Sequence, residues 1–382
     1  MPDMVGDWVA LVHDRYPPRH AAAWDSVGLQ VGDRRWPVQR VLVTLDVTTA
    51  VVTEAAANAP ALILAHHPLL FRPLARLTHD TAAGKVALAA ARMGVAVLAA
   101  HTNLDVARDG AGTSDPIMRT LGIDAAEPLT VESHESDELK LVTFVPPDHT
   151  ERMLATLGGV VDGSGRSSFR IGRAGTSGQD DGAEPPASGA DQAGGPGRAA
   201  GPGGRGDEEG PAETEDRLEI VMPRRQLAAA VRALLSAHPN EEVAYEVRGA
   251  EVGFGLVADS PKTFTLLELA TRIRDELPAP ELRFAGDPER RVRRIAAAGG
   301  AGESFIPAAL AAGADVLVTG DLRHHAVLDA LELGLALVDA GHHATEFAAL
   351  PAWIERLRAE AARRGLEADL LASQVSTAPW SS

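Results

Sequence analysis

Ala61-Leu62-Ile63-Leu64-Ala65-His66-His67-Pro68 is the stretch on which the reading of this chain turns. Five apolar residues make one buried strand, two imidazoles follow at once, and Pro68 holds His67 extended and ends the strand. A histidine doublet by itself is more often a capping or surface feature than a ligand pair. This doublet stands at the C-terminal end of a strand, where open α/β sheets keep their ligand sites. It also has company. Of the thirteen histidines, seven follow strand-like apolar runs: His66, His67, His101, His324, His325, His342 and His343. That clustering shifts the balance toward a metal site.

Composition narrows the chemistry. A length of 382 residues allows two or three domains with ample core. There is no cysteine, which excludes disulfides, thiolate zinc sites and iron–sulfur clusters and leaves His, Asp and Glu as the metal ligands. A net charge of −17 argues against a nucleic-acid surface, because phosphate binding relies on clustered Lys and Arg. No apolar run approaches the ~20 residues that span a bilayer. No basic region followed by an apolar stretch opens the chain, so a cytoplasmic protein without membrane attachment is expected.

Outward from the doublet, strands and helices alternate. Residues 4–23 read as a helix broken by Pro17-Pro18, and Trp24–Gly32 as a glycine-punctuated loop or short strand. Val41–Asp46 is a buried strand, 48–58 a helix, 61–65 the strand above, 80–93 a helix and 95–100 a strand ending at His101. This order predicts a mostly parallel sheet with right-handed crossovers. Composition changes near residue 134. Strands at 140–146, 168–171, 218–222 and 243–247, with helices at 150–157 and 224–237, predict an inserted ferredoxin-like α+β domain. Between Arg173 and Asp216 the chain is Gly, Pro, Ala, Ser and acidic residues, too poor in apolar surface to offset its ordering entropy, and a disordered loop over 174–216 is expected. The main body resumes at Gly253, with a helix at 265–276, a strand at 292–298, the turn Gly299-Gly300-Ala301-Gly302, a helix at 304–312 and a strand at 315–319. A helix at 326–332, a strand at 335–339 and a last helix to about Gly365 follow, and then a loosely held tail. The domain reading is a two-part α/β core, 1–134 and 250–375, around an insert at 135–249.

The two parts of that core echo each other. Helix 48–58, strand 61–65 and His66-His67 correspond to helix 304–312, strand 315–319 and His324-His325. His101 with Asp105 four residues on corresponds to His342 with Glu346 four residues on. Chance likeness between Ala-rich segments competes with a true repeat. If the repeat holds, two α/β units face each other across one cleft. A His and a carboxylate at i and i+4 share a helical face. Each pair alone is a weak signal. Together with His66-His67 they offer three or four imidazoles and two carboxylates, too few to saturate two divalent ions, so solvent and bridging carboxylates complete the set. A divalent pair of this kind acidifies bound water to near neutral pH. Mixed N/O ligation suits zinc, iron, manganese and nickel about equally. The Gly299–Gly302 turn either cradles a phosphate or supplies positive φ. Asp46 and Asp321, at strand ends near the cleft, either form turns or brace metal-binding histidines.

Trp24-Asp25-Ser26-Val27-Gly28-Leu29, Ala65-His66-His67-Pro68, His101-Thr102-Asn103-Leu104-Asp105, Thr319–His325 and Gly341-His342-His343-Ala344-Thr345-Glu346, in this order and spacing, resemble the Nif-three-like family, whose members are often named GTP cyclohydrolase 1 type 2 homologues. The resemblance covers both ends of the chain. It implies paired α/β units, assembly as homohexamers and a dinuclear metal site. As metal ligands it implies His66, His67, Asp105, His342 and Glu346, with His101 as a further ligand or a catalytic neighbour. Longer members carry an insert resembling PII-type signalling proteins. Here His238-Pro239-Asn240-Glu241-Glu242-Val243-Ala244-Tyr245 resembles its signature, with Asn240 where the family usually has Tyr. The implied activity is a metal-dependent hydrolase, with GTP-type ring opening or another nucleotide or phosphoester as substrate. The competing expectation is a metal-binding regulator or scaffold whose insert senses a small molecule.

Overall fold

The computed structural model describes residues 2–57, 60–106, 110–124, 126–131, 138–161, 168–174, 215–240, 243–249, 253–277 and 282–380. Among these, the strands Arg40–Thr44, Ala61–Ala65 and Val95–Ala99 lie parallel and adjacent, as the alternation predicts. Their side chains are apolar on both faces because both faces are covered. Leu62 and Leu64 join Trp8, Val12, Trp353 and Leu357 on one side. Ile63 and Ala65 join Val51, Val52, Val86 and Ala90 on the other. Gly28–Val31 closes one edge antiparallel to Val95–Ala99.

The other edge holds a correction. The expected loose tail contains a strand, Asp369–Ala372, running parallel to Arg40–Thr44 from Asp369↔Arg40 to Ala372↔Val43. The first helix is likewise shorter than expected, Val5–Arg15 instead of 4–23. Tyr16, wedged against Pro17, is turned out of helical geometry, so the stop comes one residue before the proline pair.

A second sheet carries the other half. Arg291–Ala301, Val316–Gly320 and Ala336–Asp339 are parallel neighbours, with Arg283–Ala285 antiparallel on one side and Leu256–Thr265 antiparallel on the other. The last two strands are absent from the sequence reading. Leu256–Thr265 hides its pattern behind Asp259, Ser260, Pro261 and Lys262, and its register slips between Asp259 and Phe264, which lets a proline sit in the strand. The two sheets do echo one another. In each, three parallel strands are linked by two helices, and a short antiparallel strand flanks the third.

Residues 138–161, 168–174, 215–240 and 243–249 form a separate antiparallel sheet in the order Tyr245–Gly249, Glu138–Val145, Glu215–Pro223, Ser168–Ala174. With helices Thr150–Val161 and Leu227–Ala237 this is the strand–helix–strand, strand–helix–strand connectivity of the ferredoxin-like motif. It has its own apolar core of Leu141, Val145, Met153, Leu157, Leu218, Ile220, Met222 and Leu234. The expected disordered loop at 174–216 lies outside the described residues except at its ends: Ala174 and Glu215 are strand residues paired with each other.

Candidate metal centre

The C-terminal ends of the parallel strands of both sheets meet at one place. Past Ala65 the ladder continues, with the His66 amide donating to the Thr44 carbonyl (3.0 Å) and the His67 amide to Leu45 (2.8 Å), so both histidines are fixed by backbone. His101 follows the strand Val95–Ala99, and its amide donates to Asn103 Oδ1 at 2.9 Å to open the short helix Thr102–Asp105. From the opposite sheet, Gly341 (φ 84°) turns the chain after Ala336–Asp339 into the helix His342–Phe347. That helix places His342 and Glu346 on one face, their Nε2 and Oε1 3.2 Å apart.

Four imidazoles are oriented in the same way. Nδ1 of His66 is 3.1 Å from the Ala100 carbonyl, that of His67 is 2.8 Å from Asp46, that of His101 is 2.9 Å from Asp25, and that of His342 is 2.7 Å from Asp321. Carbonyls and carboxylates only accept, so each Nδ1 carries hydrogen and each Nε2 is left as the second ring nitrogen. This is how metal-binding histidines are braced. The Nε2 atoms converge. His66 Nε2 is 3.5 Å from Glu346 Oε1 and 3.6 Å from Asp105 Oδ1, and His67 Nε2 is 3.0 Å from Glu346 Oε2. The Nε2 atoms of His67 and His342 face each other at 3.3 Å.

Two observations fit a divalent cation. His66 Nε2 and Glu346 Oε2 are buried without a directional hydrogen bond, the 3.0 Å approach of Glu346 to His67 included. In addition, ligand atoms of His66, His67 and His101, and of His67, His342 and Glu346, form two groups within 4.8 Å that share His67. A buried unpaired nitrogen beside a buried unpaired carboxylate oxygen is costly unless a cation or protons intervene.

Without a cation, protons take that place. Burial disfavours the charged form of His67, but Asp46 and Glu346 outweigh it and raise its pKa to about 10. Burial is outweighed in the same way at His342, where Glu346 and Asp321 raise the pKa to about 9. For Glu346, burial is overcome by His66, His342 and His67, which hold it ionised well below the ordinary carboxylate range. Asp25 is buried yet pulled down to about 2 by His101 and Thr102. The centre is therefore built for positive charge.

A family model described as Duf34/NIF3 (NGG1p interacting factor 3) matches residues 4–379. The chain belongs to the Duf34/NIF3 family. A Bacillus subtilis relative named GTP cyclohydrolase 1 type 2 homolog is 35% identical, over 89% of this chain and 88% of that protein. A relative of the same name from Mycobacterium tuberculosis is 32% identical, over 98% and 96%. A solved Bacillus cereus protein related to NIF3 superposes with a TM-score of 0.68 at 31% identity, over 100% of this chain and 99% of that one.

Within this Duf34/NIF3 chain all six residues singled out from sequence, His66, His67, His101, Asp105, His342 and Glu346, lie at the centre. Asp105 has its Oδ1 3.6 Å from His66 Nε2 and accepts from the Thr113 hydroxyl at 2.7 Å. His324, His325 and His343 do not join. His324 and His325 open an exposed helix, and His343 stacks on Phe347. The residue that matches the doublet at the second strand end is Asp321, held at φ 57° and turned onto His342. Asp46 and Asp321 brace histidines as the sequence allowed. Asp25, far from His101 in the chain, carries no local signal for that pairing. Gly300 supplies positive φ (72°), and a Cβ there would meet Glu346 Oε1 at 2.3 Å. The turn makes room for the buried carboxylate.

Proposed function

We propose that this protein is a divalent-metal-dependent hydrolase acting on a small molecule, with a nucleotide as the leading candidate. The observation that carries this reading is the set of four imidazoles with Nδ1 engaged, three of which, His66, His67 and His342, turn Nε2 toward Glu346 while His101 groups with His66 and His67. His66, His67, His342, Glu346 and Asp105 would hold two divalent ions drawn from zinc, iron, manganese or nickel. Ions bound there would lower the pKa of water and polarise a substrate oxygen. Asp46 and Asp321 fix the His67 and His342 rings, and Asp25 fixes His101, which is assigned a catalytic role: its Nε2 accepts or returns a proton beside the ions, or it serves as a further ligand. The names of the relatives support a GTP-type ring-opening hydrolysis as the first activity to try.

In this reading residues 1–134 and 250–375 form the metal-binding core, 135–249 an inserted PII-like domain, and the assembly is a cytoplasmic homohexamer. No helix among the described residues is long and apolar enough to cross a membrane. The second reading, a metal-binding regulator whose insert senses a small molecule, draws on the separate core of that insert. One assay separates them. GTP, other nucleoside triphosphates and simple phosphoesters are offered to protein loaded with zinc, manganese or iron, with and without chelator. The hydrolase reading expects turnover that the chelator abolishes and added metal restores. Folded, metal-replete protein that turns over none of them leaves the regulator.

A further inference from the structure

The mouth of the metal centre carries two large aromatic side chains that the hydrolase reading does not use. Trp24 is 63% exposed and Phe71 44% exposed. Their rings are 5.8 Å apart at a tilt of 58°, and both flank His101, at 6.0 and 6.4 Å between centroids. His101 in turn is 5.1 Å from the His66 ring and 5.5 Å from the His67 ring. His101 thus links the aromatic pair to the imidazoles of His66 and His67.

The pair is held in place from beneath. Gln30 Nε2 donates to the Ser26 carbonyl at 2.7 Å, two residues after Trp24, and Gln30 Oε1 accepts from the Leu70 amide at 2.9 Å, the residue before Phe71. One side chain clamps both loops. Asp25, next to Trp24, accepts from His101 and from the Thr102 amide and hydroxyl. The Trp24 loop is therefore fastened to the same carboxylate that orients His101. Two exposed rings presented by loops tied in this way form a rigid apolar platform beside a polar, charged centre. Rings so displayed stack planar heterocycles at low ordering cost.

We propose that Trp24 and Phe71 are the binding platform for a planar heterocyclic ring of the substrate, of the nucleobase class, set beside His101. This deepens the hydrolase reading and rests on it for the meaning of the site, but it is tested by binding alone.

The experiment is calorimetric titration of full-length, metal-loaded protein with guanosine, GTP and a ringless control, inorganic tripolyphosphate, in wild type, Trp24→Ala, Phe71→Ala and Trp24→Phe. Guanosine and GTP are expected to bind wild type, and Trp24→Ala to weaken both by roughly 5- to 100-fold. Phe71→Ala should weaken them in the same direction, and Trp24→Phe should retain most of the affinity. Tripolyphosphate affinity and metal content should be unchanged in every variant. Three results each overturn the proposal: no ring-bearing probe binds, the alanine variants bind as wild type, or light scattering shows that the variants lose assembly while ring binding is kept, which would make the patch a subunit contact. Ring binding without any turnover would sustain the platform and count against the hydrolase. Chelator-sensitive turnover unaltered in Trp24→Ala would do the reverse.

Discussion

Among single residues, Glu346 stands where three imidazoles converge. Its carboxylate approaches His66, His67 and His342 from within a buried pocket. Glu346→Gln keeps the shape and removes the charge, and metal analysis should find fewer bound ions with circular dichroism unchanged. Full occupancy in a His66→Ala, Glu346→Gln double variant would sink the metal assignment. Gly300→Ala tests the same carboxylate without touching a ligand. Its methyl meets Glu346 Oε1, and its positive φ costs an L-residue about 1–2 kcal/mol, so metal content and melting temperature should fall together. Protonation gives a test with a definite sign. His67 and His342 are raised from an ordinary 6.5 to about 10 and about 9, so the stability they contribute to metal-free protein is full below the ordinary value and is lost as pH rises through the folded ones. Urea denaturation of chelator-stripped protein should therefore show stability declining from about pH 7 to pH 10. Metal affinity should move the opposite way, rising with pH as protons leave the ligands. Stripped protein equally stable at both ends would contradict the charge state described for this cluster.

For whole elements, local pattern foretold some strands and not others, for identifiable reasons. Ala61–Ala65 and Val95–Ala99 are uniformly apolar because helices cover both faces, and they were legible. Leu256–Thr265 was not, because a proline and charged residues sit in a stretch where its register slips. Asp369–Ala372 was not, because a four-residue strand earns its identity from the Arg40–Thr44 edge it pairs with. At the centre, the strand-end histidines and the strand-end carboxylates Asp46 and Asp321 were legible as candidates, while Asp25 was not, because it meets His101 only through tertiary folding. The hairpin ends Ala174 and Glu215 allow an element-level prediction. They are directly paired, so replacing 175–214 by a short glycine-containing turn closes an existing hairpin. Metal content should be unchanged and the melting temperature should stay within a few degrees. Loss of fold in that variant would mean the tract has a structural role that its composition hides.

Across the whole molecule, the two sheets contribute unequal halves of one centre. The first gives His66, His67, His101 and Asp105, and the second His342 and Glu346. A bound ion therefore ties the halves together, and metal at about a hundred times its dissociation constant should add roughly 2.7 kcal/mol to unfolding, seen as a rise in melting temperature. Glu346→Gln and His66→Ala, on opposite sides, should each shrink that rise. A rise left intact by one of them would mean that one half binds alone. The pairing of Asp369–Ala372 with Arg40–Thr44 has a further consequence during synthesis. The helix Leu350–Arg364, whose Trp353 and Leu357 cover the face that Leu62 and Leu64 present, also comes from the far end of the chain. During synthesis, the sheet built on Arg40–Thr44 emerges before residues 350–372 and so lacks both an edge and a cover. Its apolar face must wait, exposed to chaperones and to other nascent chains, until residues 350–372 have been made.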